Sequence, residues 1–293
     1  MSKKLKVLVT GATGNTGSLL VPQLLKNNVD VRVFVRDEAK AAPLKELGAE
    51  IVIGDLDKPE TIRPAVKDVD KIYFLTFNDQ TQLKQGENFL SVVKDSGNPH
   101  IIRHSMWGPE NSRIIQQGYK IDDMIKSSGM PWTILKPTFY MQNTMMAAQT
   151  IASDSVIYWD MKDGKLGMID VRDIADAAFA AITKEGHEGK SYILTGPEPI
   201  SFHDIARTFT SVLSKEVKYV SVPGEASFQA MVGMGIPEWI AKGYQELSEG
   251  FSDNFANSTT KNVETLTGHS PRTFEQFVRD FAQVFGGVQE SVH

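Results

Sequence analysis

The stretch KLKVLVTGATGNTGSLLVPQLLK, residues 4–26, decides how this chain is read. Residues 4–10 are a short run rich in β-branched side chains that ends at a glycine, which predicts a strand. Residues 16–26 carry Leu19, Leu20, Leu24 and Leu25 at helical spacing. Between the two lie Gly11, Gly14 and Gly17, spaced GxxGxxG. A glycine pattern alone is weak, but a strand before it and a helix after it are the context in which it carries chemistry. The first glycine permits a tight turn, the second lets a diphosphate approach the main chain, and the third lets the helix pack closely. Free N–H groups and the helix dipole then face an anion, with Ala12, Thr13, Asn15 and Thr16 completing the cradle. Pro22 lies past the first helical turn and predicts a kink.

The alternation continues outward. Residues 31–35, 50–53, 71–75, 101–105 and 132–136 read as strands, and 39–47, 59–66, 81–96 and 116–128 as helices. Strands alternating with helices predict an α/β fold, a Rossmann-type doubly wound parallel sheet with a smaller C-terminal α/β lobe. The expected division is a dinucleotide-binding domain over 1–150 and a substrate lobe over 151–293, partly interleaved with it. In that second part, 155–170 predicts a hairpin turning at Asp163-Gly164, and Asp170 caps a helix through Thr183. Residues 192–195 and 217–222 predict strands. SFHD at 201–204 has capping-box spacing, and the last helices are expected over 231–251, interrupted at 235–237, and over 273–285.

Composition narrows the function. Lys and Arg number 31 against 36 Asp and Glu, a net charge of −5, so no clustered basic surface for nucleic acid is expected. No apolar run approaches the length of a membrane span, and a cytoplasmic protein is expected. With no cysteine, disulfides, thiolate nucleophiles and thiolate-bound metals are excluded. The histidines, at 100, 104, 187, 203, 269 and 293, lack metal-binding spacing, so no metal site is expected.

In a doubly wound sheet, ligands lie beyond the carboxyl ends of the strands. Arg36 stands 36 − 11 = 25 residues after the first glycine, at the end of the second strand. Its planar fork suits a 2′-phosphate, which favours NADP(H); Asp37 beside it keeps NAD(H) as the alternative. Asp55, with Leu56 beside it, reads either as an adenine contact or as a turn aspartate capping the next helix. Thr76, Phe77 and Asn78 after the fourth strand, and Ser105 after the fifth, are placed to line the cofactor.

The chain resembles the NmrA-like group of atypical short-chain dehydrogenase/reductases. The resemblance rests on TGATGNTG, on VRD at 35–37 and on GDL at 54–56. More specific to the group are SSGMPWTILKPTFYMQN at 127–143, IDVRDIADAA at 169–178 and GKSYILTGPEPISFHDIA at 189–206. It implies cofactor contacts from Gly11 to Thr16 and from Arg36, Asp55, Leu56, Thr76, Phe77, Asn78 and Lys84. It implies further contacts from Pro137, Thr138, Phe139 and Tyr140, near the nicotinamide, for which core packing of the two aromatics is the alternative. The group contains NADPH-dependent quinone, azo-dye and triphenylmethane-dye reductases, and cofactor-sensing regulators with little catalysis.

The wider superfamily's Tyr-x-x-x-Lys pair is not on the helix after the fifth strand, where Tyr119 is followed by Lys120 and position 123 is aspartate. Tyr158 and Lys162 have the spacing but fall in the expected hairpin, where four residues span about 13 Å. Gly118 occupies the position where group members often carry His or Lys. No catalytic residue is therefore assigned, and Tyr119, Lys120, Trp107 and Tyr140 read as pocket or packing groups. Two readings follow. One is a reductase of flat, apolar quinone- or azo-type molecules, with a homodimer allowed for. The other is an NADP(H)-sensing regulator acting through a protein partner. A nucleotide-sugar epimerase ranks last.

Overall fold

The computed structural model describes residues 3–286; His293 lies outside them. The chain resolves into two compact units. The first comprises residues up to Met106, Gln116–Lys136 and Ile174–Ile193; the second comprises Trp107–Ile115, Pro137–Asp173 and the chain from Leu194 onward.

The first unit is built on alternating elements: β1 (Lys6–Thr10), α1 (Gly17–Lys26), β2 (Asp30–Val35), α2 (Glu38–Glu46), β3 (Glu50–Ile53) and α3 (Pro59–Ala65). These are followed by β4 (Lys71–Phe74), α4 (Gln82–Val93), β5 (His100–His104), α5 (Arg113–Lys126) and β6 (Trp132–Pro137). The seven-stranded sheet has the order β3-β2-β1-β4-β5-β6, closed at the far edge by β9 (Lys190–Leu194). The pairings from β3 to β6 are all parallel, as the strand–helix rhythm predicts. Val31 to Val35 are buried on both faces, Arg32 among them through its pairing with Glu50 at 2.9 Å. Ile62, Phe74, Phe89, Ile101, Ile121 and Ile125 belong to one buried cluster, with the Phe74 and Phe89 rings stacked 3.7 Å apart. Helix α1 runs continuously through Pro22.

The second unit contains α6 (Ala148–Asp154), β7 (Val156–Trp159), β8 (Lys165–Leu166) and the start of α7 (Val171–Thr183), the rest of which lies in the first unit. After β9 it continues with β10 (Ile200–Ser201), α8 (Phe202–Leu213), β11 (Lys218–Ser221), α9 (Gly224–Gly233), α10 (Glu238–Ser252), α11 (Asn262–Thr267) and α12 (Phe274–Asp280). The capping box holds: the Ser201 hydroxyl accepts from the Asp204 N–H while the Asp204 carboxylate accepts from the Ser201 N–H. The break at 235–237 separates α9 from α10. The hairpin over 155–170 is not formed. The chain does turn there, with Gly164 N–H donating to Met161 C=O at 3.0 Å, but the strands part: β7 pairs with β11 and β8 with β10. Gly164 is needed for another reason, because a Cβ on it would stand 2.4 Å from the Phe251 carbonyl oxygen. No described helix is long and apolar enough to cross a membrane.

Candidate functional site: the carboxyl edge of the parallel sheet

Strand β1 delivers the glycine loop from a fully buried stem, Val7 to Val9. Gly11 adopts φ +63°, and a Cβ on it would meet the Leu75 side chain at 2.6 Å, so the first turn accepts no larger residue without a shift. A Cβ on Gly17 would stand 2.3 Å from the Gly11 carbonyl oxygen and 2.6 Å from Ala12 Cα. The third glycine therefore lets α1 start directly against the loop. Gly14 is freer, with its nearest contact at 3.3 Å, and it is exposed. Its N–H closes the turn onto Gly11 C=O at 3.0 Å.

The remaining donors are unclaimed. Among the described residues no acceptor faces the main-chain N–H of Ala12, Thr13, Asn15 or Thr16. Helix α1 has no side-chain cap at Thr16 and no acidic residue in its first turn. Helix N-termini are ordinarily satisfied by a cap, by water or by a ligand. A ten-residue helix whose uncapped start follows an exposed loop, in a cradle that a Cβ would fill, fits the diphosphate of a dinucleotide.

Strands β2 and β4 are the two neighbours of β1, and the residues just past their ends meet. The Arg36 guanidinium carbon lies 4.0 Å from the centroid of the Phe77 ring. Arg36 is exposed and has no carboxylate partner among the described residues. Asp37, the neighbour that kept NAD(H) open, caps α2 through Oδ1, which accepts from Ala39 N–H at 2.9 Å and Lys40 N–H at 3.4 Å. Asp55 is held in a turn, its carboxylate accepting from Asp57 N–H at 3.1 Å and its own N–H donating to Thr61 Oγ1. Asp55 thus holds a turn, but it does not cap α3, whose start at Lys58 has no side-chain cap. The Phe77 N–H donates to Gln85 Oε1 at 3.1 Å, which steadies the loop after β4.

Other expected site residues sit deeper. Leu56 is buried in the core cluster of the first unit. Ser105 is also buried, and its hydroxyl donates to Asp122 Oδ2 at 2.8 Å. The Thr76 hydroxyl is buried too, accepting from Arg103 at 3.1 Å and, more weakly, from Gln82 Nε2 at 3.4 Å. Asn78 is exposed and accepts from Gln82 Nε2 at 3.1 Å. Lys84 stands in solvent beside Glu87, at 3.5 Å.

Sequence reasoning missed the ionic cluster behind this edge. Asp122, fully buried on α5, pairs with Lys136 at 2.9 Å and lies 3.7 Å from Arg103, itself fully buried on β5. The Lys136 ammonium also lies 4.2 Å from the centroid of the Tyr119 ring. The available signal was polar and charged side chains on the inward face of a helix and in interior strands. His104 completes the strand, bonded through Nδ1 to the Tyr73 hydroxyl; burial, helped by the Arg103 charge, pushes its pKa down to about 3. It is therefore a neutral packing group at physiological pH.

Pro137, Thr138, Phe139 and Tyr140 belong to the second unit. There the Thr138 hydroxyl donates to Gly167 C=O at 2.6 Å, and the Phe139 ring packs edge-on against Trp159, Phe202 and Phe251. Tyr140 bridges to Ile169. Tyr158 lies on strand β7 and Lys162 in the turn after it, so they form no helical pair. Gly118 is buried beside Met106, and a Cβ there would make only ordinary contacts, the nearest at 3.7 Å.

The chain is 34% identical over 287 residues to an NAD(P)H azoreductase of Xenophilus azovorans, covering 96% of this chain and all of that one. It is 26% identical over 278 residues to quinone oxidoreductase 2 of Escherichia coli, covering 93% and 97% of the two chains. The triphenylmethane reductase of Citrobacter sp., solved in complex with NADP(H), superposes with a TM-score of 0.84 at 26% identity, covering 94% and 99%. Residues 3–278 match the model of the NmrA-like family, and the chain belongs to that family.

Proposed function

We propose that this protein is an NADP(H)-dependent reductase of quinone- or azo-type small molecules. The observation that carries the reading is the set of unclaimed main-chain donors at Ala12, Thr13, Asn15 and Thr16, with unpaired Arg36 beside it. Gly11 to Gly17 would hold the diphosphate and Arg36 the 2′-phosphate, for which a guanidinium fork is suited. Exposed Arg36, without a carboxylate partner among the described residues, weights the choice toward NADP(H) over NAD(H). Thr76, Phe77, Asn78 and Lys84 would flank the groove; Leu56 and Ser105 support it from the core. Pro137, Thr138, Phe139 and Tyr140 enter on the family resemblance alone.

The bound dinucleotide supplies the hydride. The protein's own part is placement and exclusion of water. The names borne by the azoreductase and quinone oxidoreductase relatives support this substrate class. A quinone or azo bond that accepts hydride can take its proton from solvent, so the missing Tyr-x-x-x-Lys pair does not count against it. The test is steady-state NADPH oxidation with a panel of quinones and azo dyes. Turnover clearly above that of a Gly11→Val control is expected; equality on every acceptor would remove the reading. Gly118, which leaves the α5 position without a proton-transferring side chain, favours the second reading, a cofactor sensor. Tight cofactor binding with no multiple turnover would support that one instead.

A further inference from the structure

Two glutamines at the start of α4 turn back toward the loop after β4. Gln82 is fully buried and Gln85 nearly so. A buried amide is costly unless its polar atoms are bonded. Gln85 Oε1 accepts from the Phe77 N–H at 3.1 Å, and its Nε2 donates to the Thr81 hydroxyl at 2.8 Å. Gln82 Nε2 donates to Asn78 Oδ1 at 3.1 Å, with Thr76 Oγ1 as a weaker second acceptor at 3.4 Å. A Cβ on Gly118 would stand 3.9 Å from that nitrogen, so glycine at this place on α5 leaves the Gln82 amide room. The loop these amides hold lies against the glycine cradle: Leu75 N–H donates to the Thr10 hydroxyl at 2.7 Å, and the Phe77 ring faces Arg36.

The Gln82 bond fixes which end of the Asn78 carboxamide is spent. An amide nitrogen donates and does not accept, so the atom it meets on Asn78 is the oxygen. The NH2 end of Asn78 is left over: the residue is exposed, and this nitrogen has no acceptor among the described residues. An asparagine by itself turns either end outward at little cost, because the two ends are alike in size. Gln82 removes that choice and leaves two N–H donors beside the unclaimed main-chain donors of the cradle. Donors in that place suit an acceptor oxygen, which the diphosphate and the ribose hydroxyls of a dinucleotide both supply.

We propose that Gln82 is a positioning residue for the dinucleotide, holding the Asn78 carboxamide so that its NH2 donates to an oxygen of the bound cofactor. This rests on the reading of the sheet edge as an NADP(H) site, and NADPH fluorescence titration of the intact protein separates the two. Absence of saturable binding by the unaltered protein would remove both. Asn78→Ala is expected to raise the NADPH Kd about tenfold, the scale of one charge-assisted hydrogen bond. Asn78→Asp still accepts from Gln82 but presents an oxygen outward, so its loss should be larger; a residue that merely braced the loop would tolerate aspartate. Gln82→Met, close in volume and without donors, is expected to raise Kd about three- to fivefold in the unaltered protein, part of the worth of the bond that it misaligns. In the Asn78→Ala background the same change should do nothing further, because Gln82 acts through Asn78. If Gln82→Met fails to fold by circular dichroism, the exposed Asn78 variants decide. Unchanged affinity in Asn78→Ala, affinity retained in Asn78→Asp, or an additive loss from Gln82→Met in the Asn78→Ala background would overturn the proposal and leave the NADP(H) reading standing.

Discussion

Two strand ends in the same sheet, those of β1 and β5, are finished in opposite ways. Past β1 the chain is a glycine-rich loop with Thr13, Gly14 and Asn15 exposed, and several main-chain donors have no acceptor among the described residues. Past β5 the chain enters a buried ionic cluster in which the Ser105 hydroxyl, Lys136 and Asp122 engage one another. The same edge thus offers unspent donors at one point and mutually engaged charges at another. Unspent donors mark where a ligand belongs; engaged charges mark where the fold holds itself.

That contrast can be broken from the β5 side with the largest effect. Asp122→Ala would leave Lys136 and Arg103 without their buried counter-charge, and a loss of about 3–5 kcal/mol in urea unfolding is expected. Cofactor affinity in the folded fraction should change little. A stability loss below about 1 kcal/mol would mean that the cluster is not structural.

From the β1 side the effect should fall on binding. Gly17→Ala places a methyl inside the Gly11 carbonyl and must push α1 away from the loop. Overpacking of this kind costs about 1–3 kcal/mol of stability, and NADPH binding should be lost in fluorescence titration. Retained affinity would refute the cradle. Arg36→Ala sharpens the contrast further: NADPH affinity should drop by about 1.5–3 kcal/mol, the worth of a hydrogen bond to a charged group, while NADH affinity stays nearly constant. Equal losses for both cofactors would contradict the 2′-phosphate role.

The β5 end also has a pH signature. The folded pKa of His104 lies far below its unfolded value, so between about 6.5 and 3 the unfolded chain binds the proton that the native state refuses. The stability due to neutral burial is complete above the unfolded value and is lost as pH falls toward the folded one. Lowering the pH from 6.5 to 5 should cost the native state on the order of 1–2 kcal/mol through this residue. His104→Gln should flatten that part of the urea-denaturation profile, and an unchanged slope would clear His104. The smallest effect is expected at Phe77→Ala, which removes the ring facing the Arg36 guanidinium and should weaken NADPH by about 0.5–1 kcal/mol. Phe77→Tyr should restore it.

The glycine spacing, the two-sided burial of β2 and the strand–helix rhythm were legible because local sequence periodicity encodes them directly. The two readings of Asp37 and Asp55 could not be separated from sequence, since an aspartate that caps a helix and one that grips a ligand look alike until its partner is placed. The 155–170 segment misled for a related reason: an Asp-Gly turn is present, but where its strands go depends on β10 and β11, dozens of residues away. The Asp122–Lys136 pair joins α5 to β6 and had no local pattern to announce it.

The amino-acid order alone therefore determined the parallel α/β frame and the anion cradle at its first turn, because both depend on residues a few positions apart. Which polar groups are consumed and which are left over was settled only by folding. Hydrogen bonds and ion pairs are short-ranged, so whether Asp37, Ser105 or Asn78 is free to meet a ligand depends on what the rest of the chain brings within about 3 Å of it.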